Sequence, residues 1–501
     1  MIDAFATTTV YAAERALMAE LAEGELMERA VAGLAALVRI RLQERGSRRV
    51  VALVGPGNNG ADALYAVAAL AADGFLAGAV LRDGQVHAGA LAAAAAAGVV
   101  LVSTGTPTTD RATTDRATTD RAATDLISEA DIILDGILGI GGRPGVPDAA
   151  VPWVAAIPDT AYVIAVDLPS GADPAGEVGD PDGVFADETV TFSVPKPVHL
   201  LPATEPACGL LTVIDIGLEL SADPPAVRRL ERRDVPALWP RPTPRDDKYS
   251  RGVVGIVAGS EKYTGAAVLA VTAAANAGAG MIRYVGPPTP EALVRAEVPE
   301  AVPGPGRVHA WVLGPGLEVG VPDAMGAPHL EVARHAWASD LPVVVDAGAL
   351  ELVRGPRSAP TLLTPHAGEC ARLLTRLAGR GEVTRAEVTA YPLRAARELA
   401  DRTGATVLLK GAWTLVVPPG DGPVFSQCDA PAWLATAGAG DVLAGIAGTL
   451  LAAGLDPSVA GALGALVHGL AAETANPGGP VRALMLADAL PRTIAALLRQ
   501  S

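Results

Sequence analysis

The sequence predicts a layered α/β protein of two domains, each a mainly parallel sheet with helices on both faces. Three observations carry this. Strand-like and helical stretches alternate in two separate series. The strand-like stretches are continuous Val/Ile/Leu/Ala runs, as expected of strands buried on both faces. Between the series, residues 221–245 mix charge with Pro224, Pro225, Pro236, Pro240, Pro242 and Pro244, the composition of a boundary. At 501 residues the chain exceeds what one hydrophobic core holds. The expected division is 1–222, a linker 223–245, and 246–501.

In the first series a long amphipathic helix is expected from about Tyr11 to Gln43. The strand Val50 to Val54 follows, then a helix from Asn59 and strands at Leu76 to Leu81, Ile132 to Leu134 and Tyr162 to Val166. Tandem Thr-Thr-Asp-Arg-Ala repeats occupy 108–124. A five-residue period matches neither a helix nor a strand face, so a solvated insertion without assigned function is expected there. The second series runs through Val253 to Val257, Val308 to Leu313, Val343 to Val345 and Val407 to Leu409, and closes with helices from Gly438 and Pro457. Two apolar runs, Ala88 to Val102 and Val442 to Leu455, are alanine-rich or shorter than the roughly 20 residues that span a bilayer. Both are expected to be buried elements of a soluble domain.

Composition narrows the function. The formal net charge is -16, which disfavours a nucleic-acid or anionic-membrane surface and leaves phosphate-bearing ligands to local sites. Cys208, Cys370 and Cys428 are odd in number and widely spaced, so neither a disulfide framework nor a zinc site is expected, and a reducing cytoplasm is the default compartment. No basic segment leads into an apolar core near the start, so no secretory signal is expected.

The richest stretch is Ala435-Thr436-Ala437-Gly438-Ala439-Gly440-Asp441, running straight into an apolar helix. Glycines let backbone N–H groups approach an anion, and the helix aims its positive end at the same place. Asp441 is placed to take a proton from a hydroxyl that attacks a phosphoryl group. Taken alone, the same residues also describe a glycine-rich turn with an acidic first helical turn. In the first half, Gly55-Pro56-Gly57-Asn58-Asn59-Gly60 satisfies GxGxxG after a strand, with Asp83 downstream, so an NAD-dependent oxidoreductase is a rival reading. Against it, Pro56, the paired asparagines and Asp62 make a more polar loop than pyrophosphate binding requires.

Several motifs extend these patterns. Thr-x-Gly-x-Gly-Asp resembles the anion hole of ribokinase-like phosphotransferases. Lys248 to Ser260, Tyr263-Thr264-Gly265-Ala266-Ala267, Gly314-Pro315-Gly316, Asp346 to Leu350, Thr364-Pro365-His366-Ala367-Gly368-Glu369 and Lys410-Gly411-Ala412 together resemble the nucleotide-dependent NAD(P)H-hydrate dehydratases. Asn58-Asn59-Gly60-Ala61-Asp62, Leu26 to Ala30, Asp135 to Gly141 and Val166 to Gly171 resemble the NAD(P)H-hydrate epimerases over most of 1–220. The whole chain is thus similar to the fused enzymes that repair hydrated NADH and NADPH. The resemblance implies a Rossmann-like first domain and a ribokinase-like second one.

It also implies roles. Asp441 would be the base of an ADP-dependent dehydration with Mg2+, the backbone from Ala437 to Gly440, including Gly438 and Gly440, holding the phosphoryl oxygens. Ala266, Gly316 and His366 would lie beside the hydrated cofactor, Lys410 and Gly411 beside the nucleotide. In the first half Asp167 would transfer the proton, with Lys196 a second candidate. Asn58, Asn59, Gly60, Ala61, Asp62, Gly139, Ile140 and Gly141 would bind the cofactor, while Asn59, Asp135 and Ser170 would hold K+ through oxygen donors. Single residues keep plainer alternatives: His366 as a helix-start histidine satisfied by backbone, Lys410 as a strand-end lysine, Asn58 as an N-cap, Ser170 in an ordinary turn. Ala61 and Ala63 replace the family's glycines, which would impair the first site if those positions need positive φ. The resemblance further implies a homo-oligomer. A dehydratase with a non-catalytic first half, and a vitamin or sugar kinase, complete the alternatives.

Overall fold

The computed structural model describes residues 1–82, 86–104, 112–220, 222–319, 327–379 and 381–499. Asp83 and residues 105–111, which take in the start of the repeats, lie outside them. The chain divides into two compact units, residues 3–227 and residues 228–501 with Met1 and Ile2.

The first unit is a seven-stranded sheet ordered Val100–Thr104, Leu76–Arg82, Arg49–Val54, Ile132–Gly136, Tyr162–Val166, Glu188–Phe192 and Leu210–Ile214. Every pairing is parallel. The four strand segments expected as apolar runs are buried on both faces because helices cover each side, as the two separate apolar clusters on the sheet show. The expected long first helix is two, Thr7–Met18 and Glu25–Arg45, with Gly24 at φ 86 in the break. A left-handed residue cannot continue an α-helix.

The repeat region corrects a second expectation. Ala112–Ser128 is helical. Where the repeats decay, Ala123 and Ile127 fall four apart and pack into the core, so one apolar stripe anchors the helix although the five-residue period cannot sustain one. The Ala88 to Val102 run is only partly buried: it forms the helix Ala88–Ala96, which buries Ala90 and Ala94, and an edge strand.

The second unit's sheet runs Val227–Arg229, Val424–Gln427, Thr414–Val417, Thr406–Leu409, Thr361–Leu363, Val343–Val345, Ala310–Leu313, Val253–Val257, Met281–Val285 and Val302–Pro303. From Thr406–Leu409 to Val302–Pro303 it is parallel; Thr414–Val417 pairs antiparallel with both neighbours. Thr264–Asn276, Ala439–Ala452, Pro457–Ala475 and Ala483–Leu498 bury a continuous core on one face. The stretch expected as linker is largely absorbed here: Leu230, Val235 and Trp239 belong to that core, and the terminal ammonium of Met1 donates to Asp234 Oδ1 at 2.7 Å. Its prolines punctuate ordered turns instead of a flexible tether; Pro236 sits in the first turn of the short helix Val235–Leu238, where no N–H is needed.

Candidate active sites

In each unit the chemistry-bearing side chains gather at the carboxyl ends of parallel strands, where open α/β sheets place ligands. In the first, Gly55 follows Arg49–Val54 so closely against the next strand that a Cβ would lie 1.8 Å from the Ile137 carbonyl oxygen. Gly60 has the same constraint against Gly55 O, at 2.1 Å. These glycines pack the helix Asn58–Ala72 onto the strand end. Gly57, at φ 122, is the N-cap, and Asn58 is already helical, so the N-cap reading of Asn58 falls. Ala61 and Ala63 are helical and buried, outside the positive-φ residues, so their replacement of glycine strains nothing.

Asn59, Asp135 and Ser170 come together. Asp135 is fully buried and accepts from Ser170 N at 2.7 Å, Ser170 Oγ at 2.6 Å and Ile137 N at 3.2 Å. Leu138 N donates to Ser170 Oγ at 2.9 Å while Asn59 Nδ2 donates to Leu138 O at 2.6 Å, which leaves Asn59 Oδ1 as an acceptor beside Gly139. Burial pushes Asp135 up to about 6, only partly offset by the Ser170 and Ile137 hydrogen bonds; among the described residues no ion pair compensates it. A buried carboxylate among oxygen acceptors suits a hard monovalent cation by donor type.

Asp167 follows Tyr162–Val166 at φ 68, an uncommon conformation that Asp tolerates better than most residues. Lys196 Nζ donates to its Oδ1 at 2.6 Å and to Thr191 Oγ1 at 2.8 Å; Thr191 Oγ1 donates to the same carboxylate oxygen at 3.1 Å. Burial opposes the charge, yet Lys196 holds Asp167 below the usual carboxylate range. Lys196 N donates to His199 Nδ1 at 2.9 Å, which leaves the His199 Nε2 hydrogen for the Asp167 carbonyl at 2.8 Å. Burial drives His199 down to about 4, so it stays neutral and fixes the strained turn. Thr191 and His199 carry no motif signal. Nor do Tyr11 and Glu14 of Thr7–Met18: a Cβ on Gly141 would meet Tyr11 OH at 2.6 Å, and Glu14 feels both Lys196 and Asp167.

In the second unit the helix Ala439–Ala452 starts at Gly438, φ 88. The Ala439 N–H bonds Thr436 O and that of Val442 bonds Gly438 O, whereas Gly440 and Asp441 lie in the first turn, whose N–H groups have no intrahelical acceptor. A Cβ on Gly440 would be 3.3 Å from Lys410 Nζ and 4.0 Å from Asp346 Oδ2. Lys410, following Thr406–Leu409, donates to Asp346 Oδ1 at 2.7 Å, and Thr364 Oγ1 donates to the same atom at 2.9 Å. Burial works against the Lys410 charge, but Asp346 and Glu369 hold it above its ordinary value. Burial, then Asp346, push Asp441 up to about 7, against Lys410. Asp346 stood in a quoted motif at a strand end without a role; its pairing with Lys410 spans 64 residues and is invisible in sequence. His468 was missed as well: buried and held down to about 4 by burial, it donates from Nε2 to Ala439 O at 2.8 Å and braces the helix start.

His366 caps Ala367–Ala378: its Nδ1 accepts from Gly368 N at 3.0 Å and Glu369 N at 3.3 Å, and Glu369 Oε2 accepts from His366 N at 2.9 Å. The backbone-satisfied histidine is therefore real, and its Nε2 lies 3.5 Å from Glu369 Oε1. Gly316, φ 66, packs against Ala266, whose Cβ would be 2.8 Å from an added Cβ. Gly411 continues from Lys410, its would-be Cβ 3.0 Å from Trp413 O. Among the described residues no cluster of three His, Cys, Asp or Glu is placed to hold a metal; the carboxylates of this site are Asp346, bonded to Lys410, and Asp441, whose proton affinity Lys410 lowers.

Fold and sites describe a two-domain α/β enzyme with an aspartate–lysine pair buried at a strand end of the first unit and, in the second, a glycine turn that opens a helix beside Lys410 and Asp346. Residues 23–198 match the family model described as YjeF-related protein N-terminus, and residues 254–495 that described as NAD(P)H-hydrate dehydratase. The bifunctional NAD(P)H-hydrate repair enzyme Nnr of Mycobacterium tuberculosis H37Rv is 43% identical over 91% of both chains; that of Mycobacterium leprae is 40% identical over 98% of this chain and 99% of its own. A Bacillus subtilis ADP/ATP-dependent NAD(P)H-hydrate dehydratase co-crystallised with ATP/Mg2+ is 27% identical, covering 54% of this chain and 99% of its own, at a TM-score of 0.48. The chain belongs to the bifunctional NAD(P)H-hydrate repair enzymes.

Proposed function

We propose that the first domain interconverts the R and S hydrates of NADH and NADPH and that the second dehydrates the S form with ADP, yielding AMP, phosphate and the restored cofactor. The observation that carries the dehydratase reading is Asp441 at the anion-hole turn with a proton affinity pushed up to about 7, a base poised at neutral pH. Hydroxide leaves poorly, so phosphorylation of the C6 hydroxyl followed by loss of phosphate divides one hard step into two. Asp441 accepts the hydroxyl proton, while the Gly440 and Asp441 N–H groups face the transferring phosphoryl oxygens. Lys410, aligned by Asp346 and Thr364, neutralises nucleotide phosphate charge. Mg2+ would add charge neutralisation at the phosphates.

In the first domain, the Asp167, Lys196 and Thr191 triad supplies an ionised carboxylate beside the ring, and Asn58, Asn59, Gly60, Ala61, Gly139, Ile140 and Gly141 line the cofactor's path. K+ at Asn59, Asp135 and Ser170 would neutralise charge near the cofactor's phosphates. The domain roles follow the structural cut, 3–227 and 228–501. A cytoplasmic location accords with the absence of a disulfide among the described residues, and no described helix is long and apolar enough to cross a membrane. The assembly proposed is a homo-oligomer, to be read by light scattering.

Purified protein would be mixed with each separated epimer of hydrated NADH, ADP, Mg2+ and K+, following absorbance at 340 nm. Recovery from both epimers is expected. Recovery from S alone would reduce the first domain to a binding module, and recovery from neither would overturn the proposal.

A further inference from the structure

Asp62, expected from the sequence to touch the cofactor, is a buried titratable group with no part in the proton transfers above. It sits in the first turns of Asn58–Ala72, 8% exposed, and its Oδ1 has no hydrogen-bond partner. Its helix follows the strand Arg49–Val54, and Asp167 follows Tyr162–Val166; the two strands flank Ile132–Gly136, so both carboxyls stand at one rim of the sheet. Asp167 has Lys196 at 2.6 Å, whereas Asp62 forms no ion pair among the described residues. The charged groups that face Asp62 are Asp167 and Glu14; Lys196 faces those two, and the Tyr11 hydroxyl faces them as well. Burial, then Asp167, then Glu14 push Asp62 up to about 8. One rim of the sheet therefore carries a carboxyl whose proton affinity is raised beside one whose proton affinity is lowered, the arrangement that separates an acid from a base.

We propose that Asp62 is the acid of this pocket, giving its proton to the C6 hydroxyl of the hydrated nicotinamide while Asp167 serves as the base on the opposite face of the ring. The inference rests on the epimerase reading of the first domain. The Asp62 proton moves to the hydroxyl oxygen, the C6–O bond breaks with its electron pair on departing water, and the N1 lone pair forms a C6–N1 double bond. Water then adds to the other face of C6, its oxygen pair making the new bond, the N1 pair returning and the released proton going to Asp167. C6 is inverted, and proton exchange through water returns Asp167 to the ionised and Asp62 to the neutral form. The reverse reaction uses the two carboxyls in exchanged roles, and nothing is consumed.

The test uses the full chain and its Asp62→Asn variant, supplied with R- or S-hydrated NADH, ADP, Mg2+ and K+ between pH 6 and 9.5. Asparagine keeps the size and hydrogen-bonding capacity but transfers no proton. Recovery from the R form should fall by about 100-fold or more, with its KM changed by less than about threefold. Recovery from the S form should be unchanged, which also shows that the variant is folded. In the wild type the R-form rate should decline above about pH 8. Carbon-13 titration of the Asp62 carboxyl in the wild type should find it protonated at pH 7. An Asp62→Asn chain that epimerises at the wild-type rate, or an Asp62 carboxyl ionised at pH 7, would overturn the proposal. A wild type that never accelerates recovery from R would overturn the epimerase reading and the inference with it.

Discussion

The pH dependence of dehydration is the sharpest consequence of the second site. Asp441 must be ionised to accept a proton, and its environment sets it at about 7. The active fraction is then about one tenth at pH 6, about half at pH 7 and about nine tenths at pH 8, so kcat/KM for the S hydrate should rise roughly tenfold from pH 6 to 8 and then level. A surface aspartate, near 3.9, would give a flat profile over this range. The assay is initial-rate recovery at 340 nm with Mg2+ and ADP saturating. Asp441→Asn should lose about 10²–10⁴ in rate, and the residual rate should lack the acid limb. Lys410 lowers Asp441, so Lys410→Met should move the midpoint upward as well as weaken nucleotide binding. A wild-type profile flat between pH 6 and 8, or an acid limb that survives in Asp441→Asn, would refute the base assignment.

The same raised value should be visible in stability. The folded state favours neutral Asp441, so its penalty is absent near pH 4, grows between about 4 and 7 and is complete above; Asp441→Asn should therefore raise stability at pH 8 by about 2 kcal/mol, the full shift being halved for a carboxyl partly open to solvent, and not at pH 4. Chemical denaturation at the two pH values checks this. Lys196→Met strands the buried Asp167 carboxylate and should cost about 3–5 kcal/mol, as well as epimerisation; urea unfolding reads the first. Ser170→Ala should weaken K+ binding by calorimetry and slow recovery from R but not from S, since Asp135 loses its 2.6 Å partner. Gly448→Ala gains helix propensity of about 1 kcal/mol, yet its Cβ would lie 2.1 Å from Val312 Cγ2 in the core, so a net loss of about 1–3 kcal/mol is expected in thermal unfolding.

The alternation of apolar runs and helices was legible because strands buried on both faces must be continuously apolar, and the runs at Val50, Tyr162, Val253 and Val343 all became parallel strands. The strand-end position of the polar loops was legible too, Gly55 following Arg49–Val54 and Asp167 following Tyr162–Val166. Less could be read where structure overrode local pattern. The break at Gly24, the helix made from the decaying repeat and the folding of 230–239 into the second core each depend on what the segment packs against.

Sequence by itself determined the two α/β units, the strand-end placement of Asp167 and Lys410, the helix-start placement of Asp441, and the family. Only the tertiary structure decided which carboxyls hold a charge. Lys196, 2.6 Å away, holds Asp167 below the usual carboxylate range against its burial; burial, then Asp167 and Glu14, push Asp62 up; burial, then Asp346, push Asp441 up while Lys410 pulls it down. Proton affinity depends on burial and on charges brought close from distant parts of the chain, and neither distance nor burial is written in the order of residues.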